Sequence, residues 1–145
     1  MKKISLICLM LVLMSPLVFS GEVYDQLGKE AKVAHEGVKE ITYDQFMKLR
    51  ASGEKYVLLD VLGPATYREG HIPEAKNFPV NNIDKGSAEE KLDKDTDIVV
   101  YCGGFKCMAS VKAAKELTKL GYRVLDYKGG LQEWIDKGNK LETAQ

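Results

Sequence analysis

Several scarcities narrow what this chain can be. Three cysteines in 145 residues are too few for a disulfide scaffold. The two histidines, His35 and His71, lie far apart in the chain, and with so few thiols they offer no convincing zinc ligand set. An excess of either charge is missing, since 21 Lys+Arg balance 21 Asp+Glu. Nothing therefore supplies the basic footprint that nucleic acid demands. The apolar run from Leu6 to Met14 is nine residues, well short of the roughly 20 that span a bilayer as a helix. Internal repeats and low-complexity tracts are also lacking.

What is present begins with an address. Lys2 and Lys3 precede the apolar run, Ser15-Pro16 breaks it, and Val18-Phe19-Ser20 places small or short residues ahead of Gly21. This three-part layout predicts a signal peptide over 1–20, and with it a periplasmic or secreted protein. An uncleaved N-terminal anchor is the alternative. No cysteine stands at the cleavage point, so no lipid anchor is expected, and the membrane enters only through export. Cleavage removes Cys8 and leaves Cys102 and Cys107 in an oxidising compartment, where two nearby thiols can pair. It also leaves 19 basic residues against 21 acidic ones.

The rest has an ordinary globular mix, 45% apolar and 29% charged, and length for one core. One domain is expected over 41–138, with 21–40 a leader or short helix and 139–145 a tail. Thr42-Tyr43-Asp44-Gln45 reads as a capping box opening a helix with Phe46, Met47 and Leu49 inward, and Ser87-Ala88-Glu89-Glu90 as a second capping box. The apolar runs 56–61, 97–101 and 122–127 read as strands covered on both faces. Between them fall helices over 64–69 and from Cys107 to Leu120, with a last one around 131–135. This alternation predicts an α/β fold, three-layer α/β/α, with a mainly parallel central sheet.

Cys102 is the first residue past the second clear strand, and in such sheets ligands bind beyond the carboxyl ends of the strands. The loop Gly103-Gly104-Phe105-Lys106 then leads into a helix whose N-terminal amides are free and partially positive. Two glycines let those amides curl around a point, an arrangement that holds an anion or stabilises a thiolate. Lys106 adds charge nearby. A reachable thiolate at Cys102 would suit nucleophilic catalysis. A buried, inert cysteine at a strand end is the competing reading.

Several segments together give a family resemblance. Leu59-Asp60-Val61, then Gly70-His71-Ile72-Pro73-Glu74-Ala75-Lys76-Asn77-Phe78-Pro79, then Val100-Tyr101-Cys102, and finally Gly121-Tyr122 with Gly129-Gly130-Leu131-Gln132-Glu133-Trp134 stand in the order and spacing of a single-domain rhodanese. Over residues 40–138 the chain resembles that sulfurtransferase family. The resemblance implies that Cys102 takes sulfane sulfur from a small donor such as thiosulfate or polysulfide and becomes a persulfide. A thiol or other thiophile, which includes protein acceptors, then removes it. It further implies that the amides from Gly103 to Cys107 steady the negative charge, with Gly103, Gly104, Phe105 and Lys106 as the substrate-binding loop, and no cofactor or metal.

The sequence departs from that pattern at two places. Many active rhodaneses end a six-residue loop with arginine, whose fork suits an anionic donor; here the sixth residue is Cys107. Leu62 stands where the family often has another arginine. The active site is therefore less cationic than usual, which puts efficient use of thiosulfate in question. The Cys-x4-Cys-x2-Ser pattern, completed by Ser110, resembles that of a rhodanese subgroup. Two thiols allow a second step in which Cys107 attacks persulfidated Cys102, releases hydrosulfide and leaves a disulfide for a reductant to reset; Cys107 as a mere packing residue is the alternative. Related phosphatases use a loop one residue longer ending in arginine, where this chain has Met108, so a phosphoryl group would lose its bidentate clamp. Asp60 is expected to bond loop amides or to shape the site, His71 to be structural, and Trp134 to be core. Besides a sulfurtransferase, two other classes stand: a periplasmic thiol–disulfide redox protein using Cys102 and Cys107, and a non-catalytic sulfur-carrier or binding module.

Overall fold

The strands that carry the site are hydrophobic on both faces because helices cover both. A computed structural model describes residues 21–144; the expected signal peptide, with Cys8, lies outside the described residues. The elements run α1 (Glu22–Glu30), β1 (Lys32–Ala34), β2 (Val38–Ile41), α2 (Tyr43–Ser52), β3 (Val57–Asp60), α3 (Pro64–Glu69), β4 (Lys76–Asn77), a 3-10 turn (Val80–Asn82), α4 (Lys85–Lys91), β5 (Asp97–Tyr101), α5 (Ala109–Lys119), β6 (Arg123–Tyr127) and α6 (Gly130–Asp136). The sheet order is β1-β2-β6-β5-β3-β4. Every neighbouring pair is parallel except the β1–β2 hairpin. The expected α/β architecture with a mainly parallel sheet is what the chain adopts. Among the described residues, no helix is long and apolar enough to cross a membrane.

Strand alternation divides the core in two. Ile98, Val100 and Val124 face α4 and α5, packing with Val111, Ala114 and Leu117. Val99, Tyr101, Leu125 and Tyr127 face the other layer, packing with Leu27, Phe46, Leu49 and Trp134. Phe46 stacks on Tyr127 with centroids 4.7 Å apart.

One local reading is extended, the short helix expected within 21–40 being α1, and three change. Residues 22–41 are built into this fold: α1 buries Tyr24 and Leu27, and β2 pairs with β6. Gly21 cannot cap α1 with a side chain, and Glu54 does so from a distance, its carboxylate accepting from the amides of Val23 at 2.7 Å and Tyr24 at 3.0 Å. The cap of α4 is Asp84, not Ser87. The Asp84 carboxylate accepts from Ser87 N at 2.9 Å while Ser87 Oγ accepts from Asp84 N at 3.0 Å. A charged cap at the positive end of the helix outcompetes a hydroxyl. The fifth helix begins at Ala109 because Cys107 N bonds Gly104 O at 2.9 Å, which closes a turn and not a helical step. The tail is folded back: His71 and Glu142 exchange both backbone hydrogen bonds, each 2.9 Å.

Candidate active site

The central strand β5 delivers Cys102 to the middle of the sheet's carboxyl edge, between β3 and β6. The loop after it is held from behind by the start of α6. Leu131 N donates to Cys102 O and Gln132 N to Gly103 O, both at 3.0 Å. Gly130 makes this approach feasible. Its φ is +55°, and a Cβ there would sit 2.1 Å from Cys102 O and 3.0 Å from Gly104 N.

The two thiols differ. Cys102 is 1% exposed, and its Sγ–H donates to Ser110 Oγ at 3.3 Å. Burial pushes this thiol above its ordinary value; contact with Cys107 adds to the rise, and the Ser110 hydroxyl and amide only partly offset it. Cys107 is half-buried. Burial alone would raise it, but the Cys102 thiol, the amides of Ala109 and Gly103 and the charge of Lys128 together hold it below an ordinary thiol. The resting thiolate therefore favours Cys107, and the reachable sulfur is also Cys107. The expectation of an exposed thiolate at Cys102 is corrected on both counts, because a Cβ at the end of a central strand points into the α5 layer and not to solvent.

A second cation joins the loop lysine. Lys106 is exposed, and Phe105 at the loop apex is 62% exposed. The charge that bears on Cys107 comes from Lys128, which is 8% exposed and whose ammonium donates to Cys107 O. Gly103 and Gly104 serve through their backbone, the first with an amide toward Cys107 and the second as the buried acceptor of the loop turn.

Asp60 braces the scaffold. Its Oδ1 accepts from Leu62 N at 2.9 Å and its Oδ2 from Tyr101 O–H at 2.8 Å, while Tyr101 Oη accepts from Ile72 N at 3.0 Å. Both oxygens are thus engaged away from the cysteine loop, and Asp60 supports it through Tyr101, the neighbour of Cys102. Burial pushes the Asp60 carboxyl up, with the Leu62 amide and the Tyr101 hydroxyl pulling it back. His71 stacks on Tyr67 at 3.9 Å with Nδ1 facing the Tyr67 carbonyl at 2.9 Å. Trp134 is buried.

Two further residues reach the site that the sequence reading did not single out, Asp126 and Lys128. Asp126 is fully buried; among the described residues neither carboxylate oxygen has a hydrogen-bond partner of good geometry, and the Ser110 hydroxyl is the donor turned towards it. Burial pushes its pKa up to about 6, against the pull of Ser110 and Lys128 and with a further push from Glu40. The available signal was a charged residue inside an apolar strand, in phase with the core residue Val124.

A model of the rhodanese-like domain matches residues 42–137. A sulfurtransferase of Allochromatium vinosum is 34% identical over 103 residues, which is 70% of this chain and 92% of that protein. A helix-turn-helix transcriptional regulator of Mycobacterium tuberculosis is 35% identical over 94 residues, covering 65% of this chain; the chain spans only 40% of that regulator's length. The solution structure of a rhodanese-like domain from Anabaena superposes with a TM-score of 0.63 at 28% identity, over 72% of this chain and 79% of that one. The order of segments around Cys102, the parallel sheet beneath it and these matches agree: the chain belongs to the rhodanese-like domain family, with sulfur transfer as its role at family level.

Proposed function

We propose that this is an exported sulfurtransferase that moves sulfane sulfur from a small donor, polysulfide or thiosulfate, through a persulfide on Cys102 to a thiol or other thiophile. The observation that carries this is the paired environment of the two sulfurs. A buried thiol hydrogen-bonded to Ser110 lies behind a half-buried, more acidic thiol set among amides and the Lys128 charge. Sulfur would enter on the Cys107 side of the loop, since Cys102 is closed to solvent. With thiosulfate, the Cys102 thiolate attacks the outer sulfur and sulfite leaves with the bonding pair. Lys128 and the loop amides supply positive potential for the anionic donor in place of the absent arginine. The two-residue N-terminal lysine pair and apolar run support export.

The same environment supports a second reading, a thiol–disulfide role. Cys107 as thiolate attacks the inner sulfur of persulfidated Cys102, hydrosulfide leaves, and a Cys102–Cys107 disulfide remains for an external dithiol to reduce. Mass spectrometry of the reduced, folded protein after polysulfide or thiosulfate tests both. A gain of one sulfur on Cys102 is expected, lost in Cys102→Ala and retained in Cys107→Ser. Disulfide formation in wild type, absent in Cys107→Ser, marks the second step. No added sulfur from either donor in Cys107→Ser, where no second thiol can release it, would refute the sulfurtransferase reading.

A further inference from the structure

A carboxylate sealed in an apolar layer with no partner is costly, and such a group beside a reacting thiol calls for a role. Asp126 is that group. Its place in the layer follows from register alone: Asp126 pairs with Val100 on one side and Glu40 on the other, and it shares its phase with Val124. It therefore faces α5, as Val100 and Cys102 do. The first turn of α5 sets Ser110, itself fully buried, over the same corner, with its Oγ 3.3 Å from Cys102 Sγ.

We propose that Asp126 takes up the proton of the Cys102 thiol through Ser110, making this carboxylate the positioning base of the sulfur-accepting cysteine. Ser110 has one hydroxyl proton and two neighbours that can receive it. With Cys102 protonated, its S–H donates to Ser110 Oγ, as observed, and the Ser110 hydroxyl is free to turn to Asp126. When the thiol gives its proton to Ser110 and the Ser110 proton passes to Asp126, the hydroxyl is restored and now donates to the thiolate. One proton has moved, charge is conserved, and no electrons change hands. The groups facing Asp126 set its readiness. Glu40 on β2, whose Oε1 lies 3.3 Å from His35 Nε2, favours the protonated form, whereas Lys128 and Ser110 favour the charged one. Poised near neutrality, the carboxyl is suited to receive a proton and release it again.

The inference rests on Cys102 being the sulfur acceptor, so two readouts separate the two ideas. The first is sulfur loading of Cys102 from thiosulfate, whose charge is constant across the range. The second is alkylation of Cys102 by iodoacetamide, which reports the thiolate without any sulfur transfer. Both are assigned by mass spectrometry from pH 5 to 10 in wild type, Asp126→Asn and Ser110→Ala, with folding checked by circular dichroism. In wild type, the Cys102 rate should show a shoulder that appears as Asp126 ionises near pH 6, well below the main rise at which the buried thiol itself ionises. In both variants the shoulder should disappear, lowering the rate at pH 7 at least tenfold, and the curves should converge at high pH. Variant profiles parallel to wild type, at full or uniformly reduced rate, overturn the relay and leave Cys107 as the proton acceptor. Absent sulfur loading with shifted alkylation profiles keeps the relay and rejects the sulfurtransferase reading.

Discussion

Replacing Asp126 by asparagine should stabilise the protein, and by an amount that depends on pH. The carboxyl is fully buried and unpartnered, and folding moves its pKa from 3.8 to about 6. The native state therefore holds this proton more tightly than the unfolded chain. The advantage is complete below about pH 4, is lost as pH rises through 6, and leaves an ionised group that costs about 3 kcal/mol, at roughly 1.4 kcal/mol per pKa unit. Asparagine has the same shape and never ionises. Urea unfolding of wild type and Asp126→Asn from pH 3 to 8 should show the variant's relative stability rising by about 3 kcal/mol across that range, with about half of the rise complete by pH 5. In thermal melts at pH 7 the gain corresponds to roughly 10 °C for a domain of this size. A difference constant with pH would refute the reasoning, since it would mean that Asp126 is not ionised against its surroundings. A growing destabilisation would mean that the carboxylate is satisfied by a partner. Stability gained together with slower sulfur uptake would be the trade between function and stability expected of a strained site.

Two other substitutions probe the scaffold. Gly130→Ala forces a Cβ to within 2.1 Å of Cys102 O at a φ of +55°. It should displace the cysteine loop, lower stability by about 2–4 kcal/mol in urea titrations and abolish sulfur loading of Cys102; unchanged loading would show that α6 does not hold the loop. Tyr101→Phe strands Asp60 Oδ2 and Ile72 N in the interior. Its stability should fall by about 2–3 kcal/mol, read from the denaturation midpoint, and a loss under about 0.5 kcal/mol would show that water replaces the hydroxyl.

The Asp84 cap shows how near misses arise in sequence reading. The sequence reading takes Ser87 as the cap, but Asp84 stands three residues earlier, and its carboxylate is the acceptor at the helix end. Composition and spacing could not rank them, because the choice depends on where the preceding turn points the chain. Residues 22–40 were obscure for a related reason. Their loose pattern reads as helix or leader, and only pairing of β2 with β6 and the capping of α1 by Glu54, 30 residues away, give the segment a place.

Local information in the chain was enough to determine the alternating strands and helices, the parallel sheet, and Cys102 at a strand end followed by a glycine loop with a second thiol. Apolar runs of strand length, caps and turn glycines act over a few residues, so they can be read along the chain. Tertiary structure alone decided which thiol is open and acidic, that Lys128 reaches the loop from beyond β6, and that Asp60 is engaged by Tyr101. It alone decided, too, that Asp126 lies buried beside Ser110. Burial and electrostatics are set by neighbours from other elements: the Cys102 corner joins β5, α5, β6 and β2, which span more than 80 positions of sequence. A side chain's pKa and access depend on that enclosure, and no spacing within one segment records it.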